Sequence, residues 1–467
     1  MAAAATSDGA SATPGLHVAI VGGGITGVML GLGLERRGVS YTIYERAAAS
    51  AEIGAGIGFS PNAERAMALL CPSAHATYKA VASSTGGEEE YFTWVDGHGT
   101  NEVVARLLIG VDAFQGGRRC DFVRAWGALL PEGRQRFGKE VDALIQRPDG
   151  KVTLTFTDRS EAEADIVIGS DGVRSRVRQL MLGADDPASR PGYTHKYCYR
   201  ALLPMAAAVR AVGAARTRTR FMYNGPGAHA ITYAVAGGTL LNALFVVSDP
   251  DPWDGGERHT ATGTRRDVAD AFAGWHPAVR ALVALLPDEL DRWAIFDTHE
   301  RPAPRYHAGC VALAGDAART SGPHLGSGAG FGIEDALALC GALGVADEEV
   351  RSGRLGGGAG GSRAEMCRAA LAAYDAVRYE RGQWLPGATR KAGELFQWRH
   401  PDVGSDPDKF LPRITRLFHT IWDNDVAAME RAAAAEAKKL AYGQADESPA
   451  VAAATATAAA AAVDSVA

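Results

Sequence analysis

Three glycines near the start of the chain have the spacing that binds the pyrophosphate of a dinucleotide. Gly22, Gly24 and Gly27 form a GxGxxG pattern, directly after an apolar run and before a helical pattern. The first glycine permits a tight turn, the second lets the backbone approach the phosphates, and the third lets helix and strand pack closely. The phosphates would then meet the free N–H groups at the positive end of a helix.

An acidic residue follows at the distance that such a site requires. Glu45 ends a second predicted strand, 18 residues after Gly27, where a carboxylate can accept hydrogen bonds from the hydroxyls of an adenosine ribose. The same charge disfavours a 2′-phosphate in this site, because like charges would meet there. The glycines and Glu45 suit a nicotinamide enzyme equally well, so they predict a dinucleotide without identifying it.

Two later segments favour flavin over nicotinamide. The first is DIVIGSDGVRSRVR, which starts at Asp165, and the second is VALAGDAA, which starts at Val311 and leads into PHLGSGAG. With the three motifs in this order, the chain resembles the FAD-dependent aromatic hydroxylases, the salicylate and p-hydroxybenzoate hydroxylase-like monooxygenases, from about Leu16 to Trp422. The resemblance implies a non-covalently bound FAD that NADPH or NADH reduces, and hydroxylation of an aromatic ring through a flavin C4a-hydroperoxide.

The resemblance also implies which residues hold the flavin. Asp316 follows a buried strand, so its carboxylate can accept hydrogen bonds from the ribityl hydroxyls. The glycine-rich helix start at Gly328 and Ala329 presents N–H groups to the electron-rich pyrimidine edge of the isoalloxazine. Asp171, in the DGxxSxxR segment, completes this predicted region of the cofactor site.

Two further segments agree with the family, and two departures limit the transfer of substrate detail. Gly58 lies in a loop that resembles the one against the isoalloxazine. Arg119 resembles an arginine near the ribityl and phosphate groups, although Arg118 beside it leaves the register open, and a surface position is the alternative for either. Many relatives have His where this chain has Arg319, and PHxGQG where it has PHLGSG. His324 could touch flavin or substrate, or be structural.

The segment KYCYRAL, which starts at Lys196, resembles a strand of fungal phenol-hydroxylating enzymes of secondary metabolism, some of which dearomatise their substrate. In those relatives an arginine on this strand and a tyrosine on a neighbouring strand hold the substrate phenolate, which implies Arg200 and Tyr233 as catalytic residues here. A guanidinium about 4 Å from a phenolate, at an effective dielectric constant near 20, contributes on the order of 4 kcal/mol, or roughly three pKa units, before desolvation. A structural ion pair for Arg200 and a core position for Tyr233 are the alternative.

The favoured interpretation is an FAD-dependent monooxygenase that hydroxylates, and in one version dearomatises, a polyketide-type phenol. Decarboxylative hydroxylation of a salicylate-like acid stays open, because the motifs do not separate the two reactions. A flavin-dependent halogenase is disfavoured, since no WxWxIP-like stretch occurs among the eight tryptophans. Outside catalysis, the alternative is a flavin-binding module that shares only the nucleotide fold.

These residues require an α/β framework to position them. A βαβ pattern surrounds the glycines, and alternating runs between Thr194 and Asp249 predict an antiparallel sheet. The predicted fold class is α/β, with a Rossmann-type FAD-binding domain, an inserted mixed or antiparallel β-sheet substrate domain and C-terminal helices. The predicted divisions are a disordered leader (1–14), a first FAD-binding segment (15–190), the substrate domain (191–295), a second FAD-binding segment (296–385) with a flexible Gly-rich loop (354–362), C-terminal helices (386–443) and a disordered tail (444–467).

Composition and charge narrow the range of partners. A net charge of −6 without a basic stripe gives no reason to expect nucleic acid, and the apolar runs are shorter than the roughly 18 residues that a membrane span needs. No secretory signal is recognisable, so a cytoplasmic location is expected. Six scattered cysteines predict reduced thiols in the core and no metal site. The expected partners are a small aromatic substrate, O2 and NAD(P)H, and the C-terminal helices could support a homodimer.

Overall fold

The computed structural model describes residues 14–49, 56–83, 89–111, 113–256, 258–353 and 362–442. Within these residues the strands form two large and two small sheets. In chain order the strands are β1 (His17–Val21), β2 (Ser40–Tyr44), β3 (Gly56–Gly58), β4 (Glu89–Asp96), β5 (Val103–Val111), β6 (Gly116–Arg118), β7 (Gln135–Arg136), β8 (Val141–Gln146), β9 (Val152–Phe156), β10 (Glu161–Ala164), β11 (Ile166–Gly169), β12 (Gly192–Pro204), β13 (Arg220–Gly225), β14 (Ala228–Val235), β15 (Leu240–Ser248), β16 (Thr260–Thr264), β17 (Glu289–Asp297), β18 (His307–Ala308) and β19 (Val311–Leu313).

Helices cover the sheets and form the C-terminal region of the described chain. Short 3₁₀ turns occur at Gly315–Ala317 and Pro323–Leu325, next to the predicted flavin motifs. In chain order the α-helices are α1 (Ile25–Arg36), α2 (Pro61–Leu70), α3 (Pro72–Val81), α4 (Arg119–Gly127), α5 (Arg176–Leu182), α6 (Met205–Val212), α7 (Arg265–Ala271), α8 (Pro277–Val283), α9 (Gly328–Arg351), α10 (Arg363–Phe396), α11 (Pro407–Trp422) and α12 (Val426–Tyr442).

The first large sheet has six strands in the order β18-β19-β11-β1-β2-β7. Its strands are parallel except for β18, which pairs antiparallel with β19. The central strand β1 is buried from Val18 to Val21, as expected for a parallel sheet that is covered on both faces. Helices α1 and α9 pack on each other beside this sheet. This is the predicted Rossmann-type unit.

The second large sheet has eight strands in the order β16-β17-β12-β15-β14-β13-β4-β5. Its pairs are antiparallel except for β13 with β4, which are parallel. Successive side chains of a strand point to opposite faces, and one face packs against α6, α7 and α8 around Phe221, Phe245 and Trp275. Part of the other face packs against α10 and α11 around Trp94, Phe396 and Phe418. The α/β fold class predicted from the sequence, with an inserted mixed sheet, is therefore confirmed.

The segment boundaries differ from the predicted divisions at two places. Strands β4 and β5, which fall within the predicted first FAD-binding segment (15–190), belong to the eight-stranded sheet. Helix α10 continues from Arg363 to Phe396 through the boundary predicted at 385/386, with Pro386 inside it. The predicted leader, Gly-rich loop and tail lie outside the described residues, apart from Pro14 and Ser362.

Helix α9 forms the centre of the helical layer. Among the described residues it is the one helix long and apolar enough to cross a bilayer, but most of that apolar stretch is buried in the fold. It packs against α1, α10 and α12. Its apolar character is therefore explained by its position in the protein core.

Candidate active site

A cavity of about 1250 Å³ lies between the six-stranded sheet and the eight-stranded sheet. Gly22, Glu45, Asp171 and Asp316 line it, and each follows the carboxyl end of a strand of the six-stranded sheet. Ligands of open α/β sheets bind in this crevice. Sites for one small molecule usually measure about 300–1,000 Å³, so this cavity has room for a dinucleotide and a second molecule.

The GxGxxG pattern forms the turn that the sequence predicts. Gly22 has a φ of +106°, and a Cβ on Gly27 would lie 2.0 Å from the carbonyl oxygen of Gly22. Glycine is thus required at the first position for its conformation and at the third for close packing. A Cβ on Gly24 would approach only the guanidinium of Arg119, at 3.4 Å. Gly24 is also the N-cap of α1, so the space beside it is open to a phosphate at a helix N-terminus.

Glu45 is held in place by backbone groups. Its Oε2 accepts a hydrogen bond from the N–H of Gly23 at 2.7 Å, and its Oε1 accepts one from the N–H of Ala47 at 2.8 Å. A carboxylate oxygen can accept a second hydrogen bond, and Glu45 lines the cavity. The carboxylate is therefore oriented and still able to accept from ribose hydroxyls.

The adjacent arginines Arg118 and Arg119 have different surroundings, which settles which of them faces the cavity. Arg118 donates from Nε and Nη2 to Asp121 at 2.7 and 3.0 Å, and 41% of its side chain is exposed. Arg119 begins α4, lines the cavity and directs its guanidinium towards Gly24. Burial raises the pKa of Asp316, and the charge of Arg119 is among those that oppose this shift. Arg119 is the arginine that can approach a pyrophosphate.

Asp171 lines the cavity, but its carboxylate accepts hydrogen bonds from the start of α5. Its Oδ2 accepts hydrogen bonds from the N–H groups of Arg176 and Val177 at 2.7 and 3.1 Å, and its Oδ1 accepts one from the Ser175 hydroxyl. The Ser175 oxygen in turn accepts from the N–H of Arg178 at 2.9 Å. A negative charge at this end stabilises a helix. The contribution of Asp171 to cofactor binding stays a prediction.

The last residue of the DGxxSxxR motif connects it to the turn that carries Asp316. Arg178 is 2% exposed, and burial lowers its pKa to about 10. Its guanidinium donates to four backbone carbonyls, those of Ala188 at 2.6 Å, Ala317 at 3.0 Å, Ala318 at 2.8 Å and Arg301 at 3.1 Å. The motif is thus a clamp that ties two cavity-forming segments together.

The turn after β19 presents Asp316 to the cavity. Gly315 has a φ of +62°, and a Cβ there would lie 2.6 Å from the hydroxyl oxygen of Thr26 on α1. Asp335 holds the turn, because its Oδ2 accepts from the N–H of Gly315 at 2.9 Å and from Arg319 at 2.6 Å. Arg319 is 2% exposed and lies behind the cavity wall. The arginine at this position therefore holds the turn and does not itself line the cavity.

The start of α9 lies beside Asp316. Gly328 and Ala329 line the cavity as the first residues of a 24-residue helix, and a Cβ on Gly328 would lie 3.7 Å from the Oδ1 of Asp316. The free N–H groups of a helix N-terminus favour electron-rich groups. An acceptor carboxylate and a set of donors thus meet at one place, as the hydroxyls and the pyrimidine edge of a flavin require.

All three residues of the strand β3 line the cavity. It contains Gly58, which lines the cavity, and it pairs antiparallel with β6. A Cβ on Gly56 would lie 2.9 Å from the Tyr233 hydroxyl and 2.8 Å from the side chain of Asn242. Glycine at this position therefore lets β3 approach the eight-stranded sheet closely.

The face of the eight-stranded sheet that α10 and α11 cover only in part forms the opposite wall. Cross-strand register places Arg200 on β12 beside Leu244 on β15. Leu244 lies beside Ile231 on β14, which lies beside Met222 on β13. All four line the cavity. They form an apolar platform, Leu244, Ile231 and Met222, with a guanidinium at its side.

The structure brings the two predicted catalytic residues to this wall. Arg200 is exposed to the cavity, and among the described residues no carboxylate pairs with it. Tyr233 lies two residues further along β14 than Ile231, beside Asn242 of β15. Within the described portion of the chain its hydroxyl has no hydrogen bond. Burial raises the pKa of Tyr233 to about 12, although the charges of Arg200 and Arg220 oppose the shift.

Sequence reasoning missed three polar residues of this wall, Arg220, Asn242 and His229. Arg220 is 7% exposed, pairs with Glu90 and donates to the carbonyl of Phe114. The alternation of RFMYNG in β13 would have placed it on the face of Met222, had that strand been recognised. His229 lies four residues before Tyr233 on β14, so period-two alternation assigns both to one face.

Comparison with known proteins supports the cofactor assignment. A family model described as the FAD binding domain matches residues 123–356. The FAD-dependent monooxygenase pigN of Monascus ruber is 46% identical over 433 residues, which cover 91% of this chain and 98% of that protein. The FAD-dependent monooxygenase orf3 of Aspergillus niger is 43% identical over 430 residues, covering 90% of this chain and 96% of that protein.

Solved structures show the same architecture. A salicylate hydroxylase in complex with its substrate has a TM-score of 0.77 and 31% identity, covering 90% of this chain and 98% of that one. A 2,6-dihydroxypyridine-3-hydroxylase from Arthrobacter nicotinovorans has a TM-score of 0.66 at 20% identity, covering 82% of this chain and 93% of that one. The second likeness concerns the fold alone.

Proposed function

We propose that this chain hydroxylates a phenol, which Arg200 and Tyr233 hold as its phenolate. The chain belongs to the FAD-dependent aromatic hydroxylases, and it is similar along most of its length to fungal FAD-dependent monooxygenases. The observation that carries the proposal is that Arg200 lies on the cavity wall and pairs with no carboxylate among the described residues. Tyr233 lies on the same wall, and its hydroxyl has no hydrogen bond in that part of the chain. Surface arginines rarely need an explanation, but one that lines a deep cavity without an anion favours a ligand that supplies it.

The charge of Arg200 is large enough to ionise the substrate. At about 4 Å and an effective dielectric constant near 20, a guanidinium and a phenolate attract each other by about 4 kcal/mol. Each pKa unit corresponds to about 1.4 kcal/mol, so the phenol pKa falls by roughly three units before desolvation is subtracted. An ordinary phenol pKa near 10 would then approach neutrality.

Tyr233 supports the same anion as a donor. Since burial raises its pKa to about 12, its hydroxyl stays protonated at neutral pH and can donate a hydrogen bond to the phenolate oxygen. A hydrogen bond to a charged group is worth about 1.5–3 kcal/mol. Arg200 therefore supplies the positive charge that stabilises the phenolate, and the hydrogen bond from Tyr233 orients the phenolate oxygen.

The remaining regions of the cavity suit the other reactants. FAD, when bound between Glu45, Arg119 and Asp316 and reduced by NADPH or NADH, supplies activated oxygen from O2 to the substrate ring. The apolar platform of Leu244, Ile231 and Met222 keeps water from the side of the ring that faces the sheet. We expect the protein to act in the cytoplasm on a small aromatic substrate.

A salicylate-type decarboxylative reaction is the second candidate, because a salicylate hydroxylase shares 31% identity with this chain. That reaction needs room for a carboxylate as well as for the phenol. The other described arginine of this wall, Arg220, is already paired with Glu90, so Arg200 is the arginine of the wall that can meet a substrate anion. One such charge on the wall favours a substrate with one anionic group there, which is a phenolate without a carboxylate.

The test measures NADPH and NADH consumption by the holoenzyme with an orcinaldehyde-type phenol, salicylate and phenol, with products identified by mass spectrometry. We expect stimulation by the first compound and a product that gains one oxygen atom, whereas loss of CO2 from salicylate would select the second candidate. Arg200→Gln should lower kcat/KM by about a hundredfold or more, from the attraction of about 4 kcal/mol less desolvation.

The matched control is Arg210→Gln, because Arg210 is an exposed arginine on α6, outside the cavity. It should leave kcat/KM within a factor of about two. An Arg200→Gln enzyme that binds FAD normally and retains the kcat/KM of the wild type would refute the phenolate assignment. A holoenzyme that no phenol or aromatic acid stimulates would refute the choice of substrate class.

A further inference from the structure

Strand β17 presents two carboxylates to the cavity, beside the strand that carries Arg200. Glu289 and Asp291 are both exposed and both line the cavity. They lie two residues apart, so their side chains point to the same face of the sheet. Within the described part of the chain, neither carboxylate has a hydrogen bond or an ion pair. Their negative charges are therefore free to act on a ligand.

The strand register places Asp291 directly opposite Arg200. The antiparallel strands β12 and β17 pair Tyr199 with Arg292, so the next position along the two strands brings Arg200 opposite Asp291. Directly opposite residues of an antiparallel pair have Cβ atoms about 4.5–5.5 Å apart and share a face of the sheet. The guanidinium and the carboxylate therefore leave the sheet at the same place on the cavity wall.

Arg200 does not use this neighbouring carboxylate as its partner. Among the described residues no ion pair joins Arg200 to Asp291, and the guanidinium lies close to Cys198, two residues earlier on the same face of β12. Burial raises the pKa of the Cys198 thiol, whereas the charge of Arg200 and a hydrogen bond with it oppose that shift. The guanidinium thus stays available to a ligand, and Asp291 stays close enough to repel one.

The balance of charge on this wall differs for the first and the second anionic group of a ligand. The first contacts Arg200 at about 4 Å, where attraction outweighs repulsion from the more distant carboxylates. A second anionic group has to share that guanidinium and meets Asp291 and Glu289. At about 6 Å and an effective dielectric constant of about 40, two like charges lower the affinity about tenfold. The other cations that line the cavity, apart from Arg220 with its partner Glu90, belong to segments outside the eight-stranded sheet: Arg46, Arg119, Lys139, Arg174 and Arg176.

We propose that Asp291, with Glu289 beside it, determines specificity by its charge: it repels a second anionic group next to Arg200 and so restricts this wall to ligands with one. This inference rests on the proposed phenol hydroxylation and adds to it a residue that determines specificity. Aromatic acids that would bring a carboxylate as well as a phenolate to the wall are disfavoured, whereas phenols with neutral substituents are accepted.

The experiment measures ligand binding to the holoenzyme at pH 7 by the change in flavin absorbance, without turnover. The probes are isophthalate, which has two carboxylates on a benzene ring, and 3-carbamoylbenzoate, in which a neutral amide replaces one of them. Both offer Arg200 one anionic group, so the ratio of their affinities reports on the second charge alone. The wild type should bind the monoanion about tenfold more tightly, and Asp291→Asn should bring this ratio close to one.

Further variants separate the charge of Asp291 from its shape. Asp291→Glu keeps the charge and should keep most of the preference for the monoanion, although its side chain is longer. Glu289→Gln removes the other carboxylate of β17 and should reduce the ratio less, by about threefold, because Glu289 lies opposite Leu202 and one residue pair further from Arg200. Asp251→Asn is the matched control, since Asp251 is an exposed aspartate outside the cavity, and it should leave the ratio unchanged. Flavin content and thermal unfolding establish that each variant is folded.

Two results would overturn the inference. One is a wild-type ratio of affinities in Asp291→Asn, and the other is an equal loss of the preference in Asp291→Asn and Asp291→Glu, which would mean that the shape of the side chain matters and its charge does not. Failure of the proposed function is distinguishable, because it would show as an Arg200→Gln enzyme with unchanged kcat/KM for a phenol. The ratio of the two affinities is measured with ligands that are not turned over, so it does not depend on that result.

Discussion

Replacing Arg178 by methionine tests whether the DGxxSxxR motif acts as a clamp on the flavin site. Methionine has a similar length and is unbranched, so it fills much of the space of the buried arginine but donates no hydrogen bonds. The four carbonyls to which Arg178 donates hydrogen bonds include those of Ala317 and Ala318, which directly follow Asp316. If the clamp holds this turn, its loss should weaken both the fold and the binding of FAD.

The magnitude follows from the hydrogen bonds and the buried charge. Leaving a fully buried carbonyl unsatisfied costs about 2 kcal/mol, which applies to Ala317 and Ala318. The partly buried bonds to Ala188 and Arg301 contribute about 1 kcal/mol each, so the four bonds together contribute about 6 kcal/mol. Removing the guanidinium recovers the cost of burying its charge, which the lowering of its pKa to about 10 places at about 3 kcal/mol. The expected loss is therefore about 3 kcal/mol. At an unfolding entropy of about 2.1 cal/mol/K per residue, it corresponds to a fall in Tm of roughly 3 °C for this chain.

Thermal unfolding of the apoprotein and titration with FAD provide the measurement. Arg210→Met is the control, because Arg210 is an exposed arginine of α6 that lies outside the cavity. We expect a change below about 1 kcal/mol for this control. A wild-type Tm in Arg178→Met would refute the clamp, and a lowered Tm with unchanged FAD affinity would refute its link to the Asp316 turn.

Three further perturbations test other regions of the site. Gly27→Ala should destabilise the apoprotein, since its Cβ would lie 2.0 Å from the Gly22 carbonyl oxygen. Gly24→Ala should leave the stability of the apoprotein unchanged and weaken only the binding of FAD. Thermal unfolding and FAD titration of both variants separate these two effects. Burial alone would raise the pKa of Glu334, but its paired arginines outweigh burial and lower that pKa. The negative charge of Glu334 therefore stabilises the fold at pH values above about 4.3, the pKa of a glutamate in the unfolded chain. Glu334→Gln should therefore cost about 3–5 kcal/mol at pH 7, and urea unfolding should show this difference shrinking as the pH falls below about 4. Tyr233→Phe should weaken phenol binding by a factor that grows from pH 6 to pH 9, because the bound phenol ionises in this range while Tyr233, with a pKa of about 12, stays a donor. A factor independent of pH in flavin absorbance titrations would contradict donation to the phenolate.

The cofactor half of the site could be predicted from the sequence because its signals are local. The turn at Gly22 needs a positive φ, and the third glycine must be within a few residues of it, so the pattern is short and recognisable. Glu45 and Asp316 each follow a predicted strand directly, and the carboxyl ends of parallel strands meet at one edge of the sheet. Local spacing and one topological rule were sufficient to predict that these residues meet at one cavity.

Orientation within a motif was harder to predict. Neighbours such as Arg118 and Arg119 differ only in the direction in which the start of α4 points them, and that direction depends on packing beyond the motif. Asp171 is conspicuous in the sequence for its motif, yet its carboxylate caps α5. A motif shows that a residue type is needed at a position, but helix capping and ligand binding both require a carboxylate there.

The substrate half depends on contacts between distant regions of the chain. Strand β4 lies parallel to β13 and pairs Phe92 with Arg220, which is more than a hundred residues away in the sequence. No local sequence pattern predicts such a pairing. It also decides the charge of the pocket, because it brings Glu90 next to Arg220 and neutralises one of the two arginines on the wall. With a different strand beside β13, both guanidinium groups would be free and the pocket would suit a dianion. The proposed preference for a single phenolate therefore depends on the strand order, which the structure provides and the local sequence does not.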